Sequence, residues 1–363
     1  MTNNALAGRF NSIFVTSQGD VFACGMNSKG QNGTPNLVGQ PRHMLKQVSI
    51  PTPIVSVTSG IYFTLFLEDD GNVWVSGEGL LGICTKTPIK IENFSEVKGI
   101  YTGECHSLFL KEDGSVWVFG SNEYGQLGIE GISHKAVPIH ATIFPNPIVD
   151  ISCGKSFTIL LDSEGIVWAG GQSEAWAGCR AMGPLDLPRG MPAVKSLASG
   201  STFNFFLCED LSVWGWGGNL YGEIGRLNCI RELKQVVFET EENVQIVSVC
   251  AGAHHSLFLD SAGCVWSCGH NSQGQLGLGD RVNRNSPTKI NFDKKAILVA
   301  CGENHSFIVD EQQRVWTFGS NEYGQLGSTY EDIEPFSVVP QLVTQIDSIR
   351  IGQQSVQVKS ARK

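Results

Sequence analysis

The residues of this chain best able to do chemistry are its acids, histidines and cysteines, and several of them share one repeated place. Gly103-Glu104-Cys105-His106-Ser107-Leu108-Phe109-Leu110, Gly252-Ala253-His254-His255-Ser256-Leu257-Phe258-Leu259 and Gly302-Glu303-Asn304-His305-Ser306-Phe307-Ile308-Val309 are three copies of one stretch. Each carries a histidine three residues after a glycine. His106, His255 and His305 recur in register, so a structural role is expected for them: an imidazole tethering adjacent backbone at a crowded turn. Glu104, His254 and Glu303 lie off that histidine position, which makes them stronger candidates for contact with a partner.

Other chemistries find less support. No Ser/His/Asp or Cys/His set stands apart from the repeat, so no classical enzyme site is expected. The 11 cysteines contain no Cys-x-x-Cys pair, and Cys264 and Cys268 lack a second ligand pair at metal-site spacing, so no metal is expected. Most lie in apolar, strand-like runs (Cys24, Cys153, Cys208, Cys250, Cys264, Cys268, Cys301) and read as reduced, buried thiols. Loops such as Asn122-Glu123-Tyr124-Gly125-Gln126-Leu127-Gly128 are glycine-rich but lack the following helix and lysine of a phosphate cradle, and no cofactor is expected.

The elements that position these residues follow from the repeat. Weaker copies start at Gly8, Gly60, Gly154 and Gly200, so seven glycines, at 8, 60, 103, 154, 200, 252 and 302, set a phase of 43 to 52 residues. In each unit a short apolar run leads through an acidic or glycine turn to a second run: Val21-Phe22, Val73-Trp74, Val116-Trp117, Val167-Trp168, Val213-Trp214, Val265-Trp266 and Val315-Trp316. Then comes Asn-x-x-Gly-Gln-Leu-Gly, eroded near Gly79 and Trp176. A third run follows a proline, as at Pro88 and Pro287, and a fourth such as Ile246-Val247-Ser248-Val249 leads into the next glycine.

β-branched and aromatic runs cut by glycine turns read as strands, and four per unit, seven times over, predict an all-β, seven-bladed β-propeller of four-stranded blades. One such blade buries too little to stand alone, so the chain 1–363 is expected to be a single domain. Ile346 to Val358 repeats the fourth run after the seventh unit and is expected to close the ring as the missing strand of the first blade. The repeated aromatics are expected to pack between blades.

Composition narrows the partners. With 26 basic and 35 acidic residues the net charge is −9, without charge blocks, so direct nucleic-acid binding is not expected. The first residues lack a basic-then-apolar leader and no run reaches membrane-span length, so a soluble monomer of the cytoplasm, or of the nucleus, is expected, without membrane association.

Gly-x-x-His-Ser, then Asp-x-x-Gly-x-Val-Trp-x-x-Gly, then Asn-x-x-Gly-Gln-Leu-Gly resembles the regulator of chromosome condensation family, a family of seven-bladed propellers, over about Gly8 to Gly352. The name-giving member of that family is a guanine nucleotide exchange factor for the small GTPase Ran, and other members are scaffolds, parts of ubiquitin ligases or kinases, or an ultraviolet-B photoreceptor. The resemblance implies that Glu104, His106, His254, His255, Glu303 and His305 line one mouth of the ring and engage a small GTPase, the carboxylates competing for its lysine or magnesium. The alternative is a non-catalytic scaffold or adaptor. Units four and five depart from the pattern, with Gly154-Lys155-Ser156-Phe157-Thr158 and Gly200-Ser201-Thr202-Phe203-Asn204 bearing neither acid nor histidine. The photoreceptor's extra tryptophan after the glycine is missing, which excludes that function.

Overall fold

The computed structural model describes residues 5–35, 44–80, 83–130, 133–176, 178–226, 232–240, 244–327 and 335–343. Within them 28 strands form seven four-stranded sheets, each a meander whose sequence neighbours pair antiparallel. A single turn of 3₁₀ helix, Glu174–Trp176, is the sole helical element among the described residues.

The first strands are Ala5–Ala7, Ile54–Ser59, Val97–Thr102, Ile148–Cys153, Val194–Ser199, Ile246–Ala251 and Ala296–Cys301. Each touches the next, and the last touches the first, so they form a closed inner ring. The phase glycine follows this strand, so the sequence repeat and the blade are one strand out of step. In blade one the inner position is held by Ala5–Ala7, paired with Asn11–Val15 through Ala5↔Phe14 and Ala7↔Ser12. The segment expected to close the ring, residues 346–358, lies outside the described residues, and the place expected for it is taken by this short N-terminal strand.

Second strands such as His255–Asp260 and Phe63–Glu68 are buried at every position, because both faces of the small sheet are covered by neighbouring blades. The core is accordingly seven separate clusters, one per interblade face; Phe63, Leu65, Phe109 and Phe119 fill that between blades two and three, and Phe14 with Phe307 that between blades one and seven. Burial of each such phenyl group is worth about 1.5–3 kcal/mol. The fourth strands form the rim. Pro88 and Pro287 lie inside them, in Ile83–Lys90 and Arg284–Lys289, rather than opening them, since an edge strand has one side free of ladder bonds.

Of the repeated aromatics only Trp266 is buried; the others are half-buried, packed on the cluster edges. Their indoles have a second task, absent from the packing expectation: Trp74 donates to Glu68, and Trp168, Trp266 and Trp316 donate to Asp162, Asp260 and Asp310 at 2.6–3.1 Å. Asp260 also accepts the amides of Ala262 and Cys264, so one carboxylate fixes both the hairpin turn and the ring.

Candidate functional site

The turn between first and second strands is built alike in every blade: the phase glycine donates its amide to the carbonyl three residues on, as from Gly103 to His106 at 3.0 Å. Glycine is demanded by close approach. A Cβ on Gly103 would lie 2.1 Å from the His106 ring, and one on Gly154 2.0 Å from the Phe157 ring. The repeated histidines therefore lie over their glycines and point into the joint with the next blade, where Phe63, Phe157 and Phe203 stand in blades two, four and five. His106 Nε2 pairs with Thr158 Oγ1 (3.1 Å), His255 Nε2 with Ser306 Oγ (2.8 Å) and His305 Nε2 with Ser12 Oγ (3.0 Å). All three are fully buried, and burial pushes His106 down to about 4 and His255 and His305 down to about 3. They are neutral at physiological pH and face the neighbouring blade instead of solvent.

The residue after each glycine does face the mouth. Arg9, Ile61, Glu104, Lys155, Ser201, Ala253 and Glu303 surround a central depression of about 150 Å³. Their backbones are linked from blade to blade: Ile61 N donates to Glu104 O, Glu104 N to Lys155 O, Lys155 N to Ser201 O and Ala253 N to Glu303 O, all at 3.1–3.2 Å. The side chains thus project from a bonded girdle. Arg9 spans it, with Nη1 2.9 Å from Glu104 Oε1 and Nε against Glu303, while Lys155 Nζ stands 3.8 Å from the other Glu104 oxygen. Burial raises the Glu303 carboxyl above its ordinary range, outweighing the opposing effect of Arg9.

His254 belongs to a second group beside the girdle. Its Nδ1 is 3.2 Å from Glu223 Oε1, a carboxylate only 1% exposed, while the imidazole itself is 41% exposed. Tyr221 packs between His254 and His270, with centroids 5.3 and 4.5 Å away, and Gln275 Nε2 meets His270 Nδ1 at 3.0 Å. Burial, followed by the neighbouring His254, lowers His270 below its ordinary value.

Of the six expected residues, the fold brings Glu104 and Glu303 together through Arg9, sets His254 apart with Glu223, and seals the other three. Arg9, Lys155 and Glu223 are the residues that sequence reasoning passed over. Reading the whole post-glycine position as one ring would have found the first two. Glu223 replaces the glutamine of the Gly-Gln-Leu-Gly loop, a visible departure from the repeat. Those loops are closed on themselves: Asn122 Oδ1 accepts from Leu127 N and Gln126 Oε1 from Tyr124 N. What the mouth presents is carboxylate, guanidinium and imidazole on rigid backbone, suited to recognising charged side chains. Among the described residues no group of His, Cys, Asp and Glu is placed to hold a metal ion, and no helix is long and apolar enough to cross a membrane.

Ring and mouth together define a seven-bladed β-propeller with glycine-led inner turns. Residues 78–359 match the RCC1-like domain and residues 7–31 the regulator of chromosome condensation (RCC1) repeat, and the chain belongs to that family. It is 29% identical over 309 residues to human E3 ubiquitin-protein ligase HERC2, covering 78% of this chain but only 6% of the ligase. It is 27% identical over 292 residues to the regulator of chromosome condensation of Xenopus laevis, covering 70% of this chain and 68% of that protein. Among solved structures, Prp20p from Saccharomyces cerevisiae, studied for its binding to Gsp1p and histones, superposes with a TM-score of 0.76 at 24% identity, covering 93% of this chain and 87% of that one.

Proposed function

We propose that this propeller binds a small GTPase at the glycine-turn mouth and acts as its guanine nucleotide exchange factor, with Glu104, Glu303 and His254 as the contact residues. The observation that carries this reading is the girdle: two partly buried carboxylates, from blades three and seven, held on bonded backbone and converging on one cation. A carboxylate so placed can take a lysine of the GTPase that otherwise holds phosphate, and loss of that contact loosens the nucleotide. His106, His255 and His305 act behind them by fixing the turns. A second reading, a non-catalytic scaffold, is favoured by a different observation: Arg9 already satisfies both carboxylates, and blades four and five offer Lys155 and Ser201 in place of acid or histidine. Release of a fluorescent guanine nucleotide from a panel of small GTPases separates the two. Acceleration of at least tenfold for one GTPase, lost in the Glu104→Ala/Glu303→Ala variant, supports exchange; stable binding of a partner without acceleration supports the scaffold.

A further inference from the structure

We propose that Cys250 and Cys301 form a reversible disulfide that joins blades six and seven beside the mouth when the protein meets a peroxide. The placement follows from a rule of the ring. At four joints the residue two before a phase glycine meets the residue one before the phase glycine of the next blade, as Tyr101 and Cys153 do on one cluster between blades three and four. Between blades two and three these are Thr58 and Thr102, whose hydroxyls meet at 2.7 Å. Between blades five and six they are Ala198 and Ala251, which pack on one cluster. Between blades six and seven both are cysteines, with their sulfurs 2.6 Å apart, so a shift of about half an ångström separates them from an S–S bond of about 2.05 Å.

Access and chemistry agree with the geometry. Both thiols are partly exposed, and Cys301 lines the central depression, whereas Cys24, Cys208 and Cys268 are buried. Burial, and then the Cys250 sulfur beside it, raise Cys301 well above the ordinary thiol range, so the pair rests reduced until an oxidant arrives. One sulfur of the pair, as its thiolate, attacks one peroxide oxygen; the O–O bond breaks to leave a sulfenic acid and hydroxide, and the proton that the thiol had released makes the first water. The other sulfur then displaces hydroxide from that sulfenic sulfur, its own proton completing the second water. Two thiols lose two electrons and two protons, and the peroxide is reduced to two waters. The link would tie strands 51 residues apart and hold the turn that carries Glu303, two residues beyond Cys301. It does not depend on the GTPase reading.

The test treats the reduced full-length chain with hydrogen peroxide and maps its peptides without reductant. The expected result is one peptide pair joining Cys250 to Cys301, loss of two titratable thiols, reversal by dithiothreitol, and a raised melting temperature. Cys250→Thr/Cys301→Thr, which copies the Thr58–Thr102 joint, is expected to fold and to show none of these changes. Oxidation that leaves Cys250 and Cys301 unlinked, whether as free thiols or as separate sulfinic acids, overturns the proposal, and the mapping of the wild-type chain decides even if the double variant fails to fold.

Discussion

His106, His255 and His305 sit in sealed joints with hydroxyl partners, and their charge state is tied to folding. In the unfolded chain each titrates near the ordinary 6.5, and in the folded chain only at about 3 to 4. The unfolded state therefore binds more protons between those limits. Their contribution to stability is complete above about pH 6.5 and is lost as pH falls toward the folded values, at about 1.4 kcal/mol per pH unit for each histidine. His305→Phe, which copies the phenyl of blades two, four and five, is expected to reduce that slope by about one such increment. Urea unfolding at pH 7, 6 and 5 measures it; equal slopes for wild type and variant would refute the account. The mouth residues behave otherwise. Glu104, His254 and Glu303 open no core cavity when cut to Ala, so each is expected to change stability by about 0.5 kcal/mol or less, whereas Trp266→Ala, buried on the blade five to six cluster, is expected to cost about 3–5 kcal/mol. Denaturation midpoints of the triple and single variants test this; an unfolded triple variant would show that these side chains hold the ring.

The hairpin between second and third strands is the most repeated element, and its turn needs one left-handed residue two positions before the Val of the third strand. Glycine supplies it at Gly19, Gly71, Gly114, Gly165 and Gly263 with φ of 81–86°, but blades five and seven use Leu211 (φ 66°) and Gln313 (φ 62°). A left-handed non-glycine residue costs about 1–2 kcal/mol, against roughly 0.5–1 kcal/mol of extra chain entropy for glycine. Leu211→Gly is therefore expected to stabilise the protein slightly, by up to about 1 kcal/mol, read as a rise in the denaturation midpoint. A fall of similar size would mean that the Leu211 side chain contributes packing that outweighs the strain.

Across the whole molecule, stability rests on closure, because each cluster is shared by two blades and the first-to-seventh joint completes the ring. Ser12 ties it by donating to Gln325 O at 2.7 Å and meeting His305, and Phe14 packs on Phe307. Truncation of residues 1–7 removes the inner strand beside Asn11–Val15 and is expected to lower the melting temperature and broaden the transition. Removal of 346–363 is the companion experiment: loss of cooperativity there, with no effect of the N-terminal truncation, would assign the closing strand to the tail. The net charge of −9 leads to a further expectation, no DNA binding at physiological salt. Micromolar affinity with a steep salt dependence in an anisotropy titration would contradict it.

The seven glycines, the Val-Trp runs and the loop asparagines were enough to fix blade number, strand number and fold, because a repeat states each packing requirement seven times. The site was legible only in part. Glu104, Glu303 and His254 stood out as departures from the repeat, but their partners Arg9 and Glu223 are 95 and 31 residues away along the chain, and no local pattern connects them. The burial of the three histidines, the pairing of Cys250 with Cys301 and the placement of Ala5–Ala7 were decided by ring closure alone. Closing the ring sets residues from successive blades opposite one another at the axis, and the choice of which residues meet is made by the curvature of the whole ring and by no single blade.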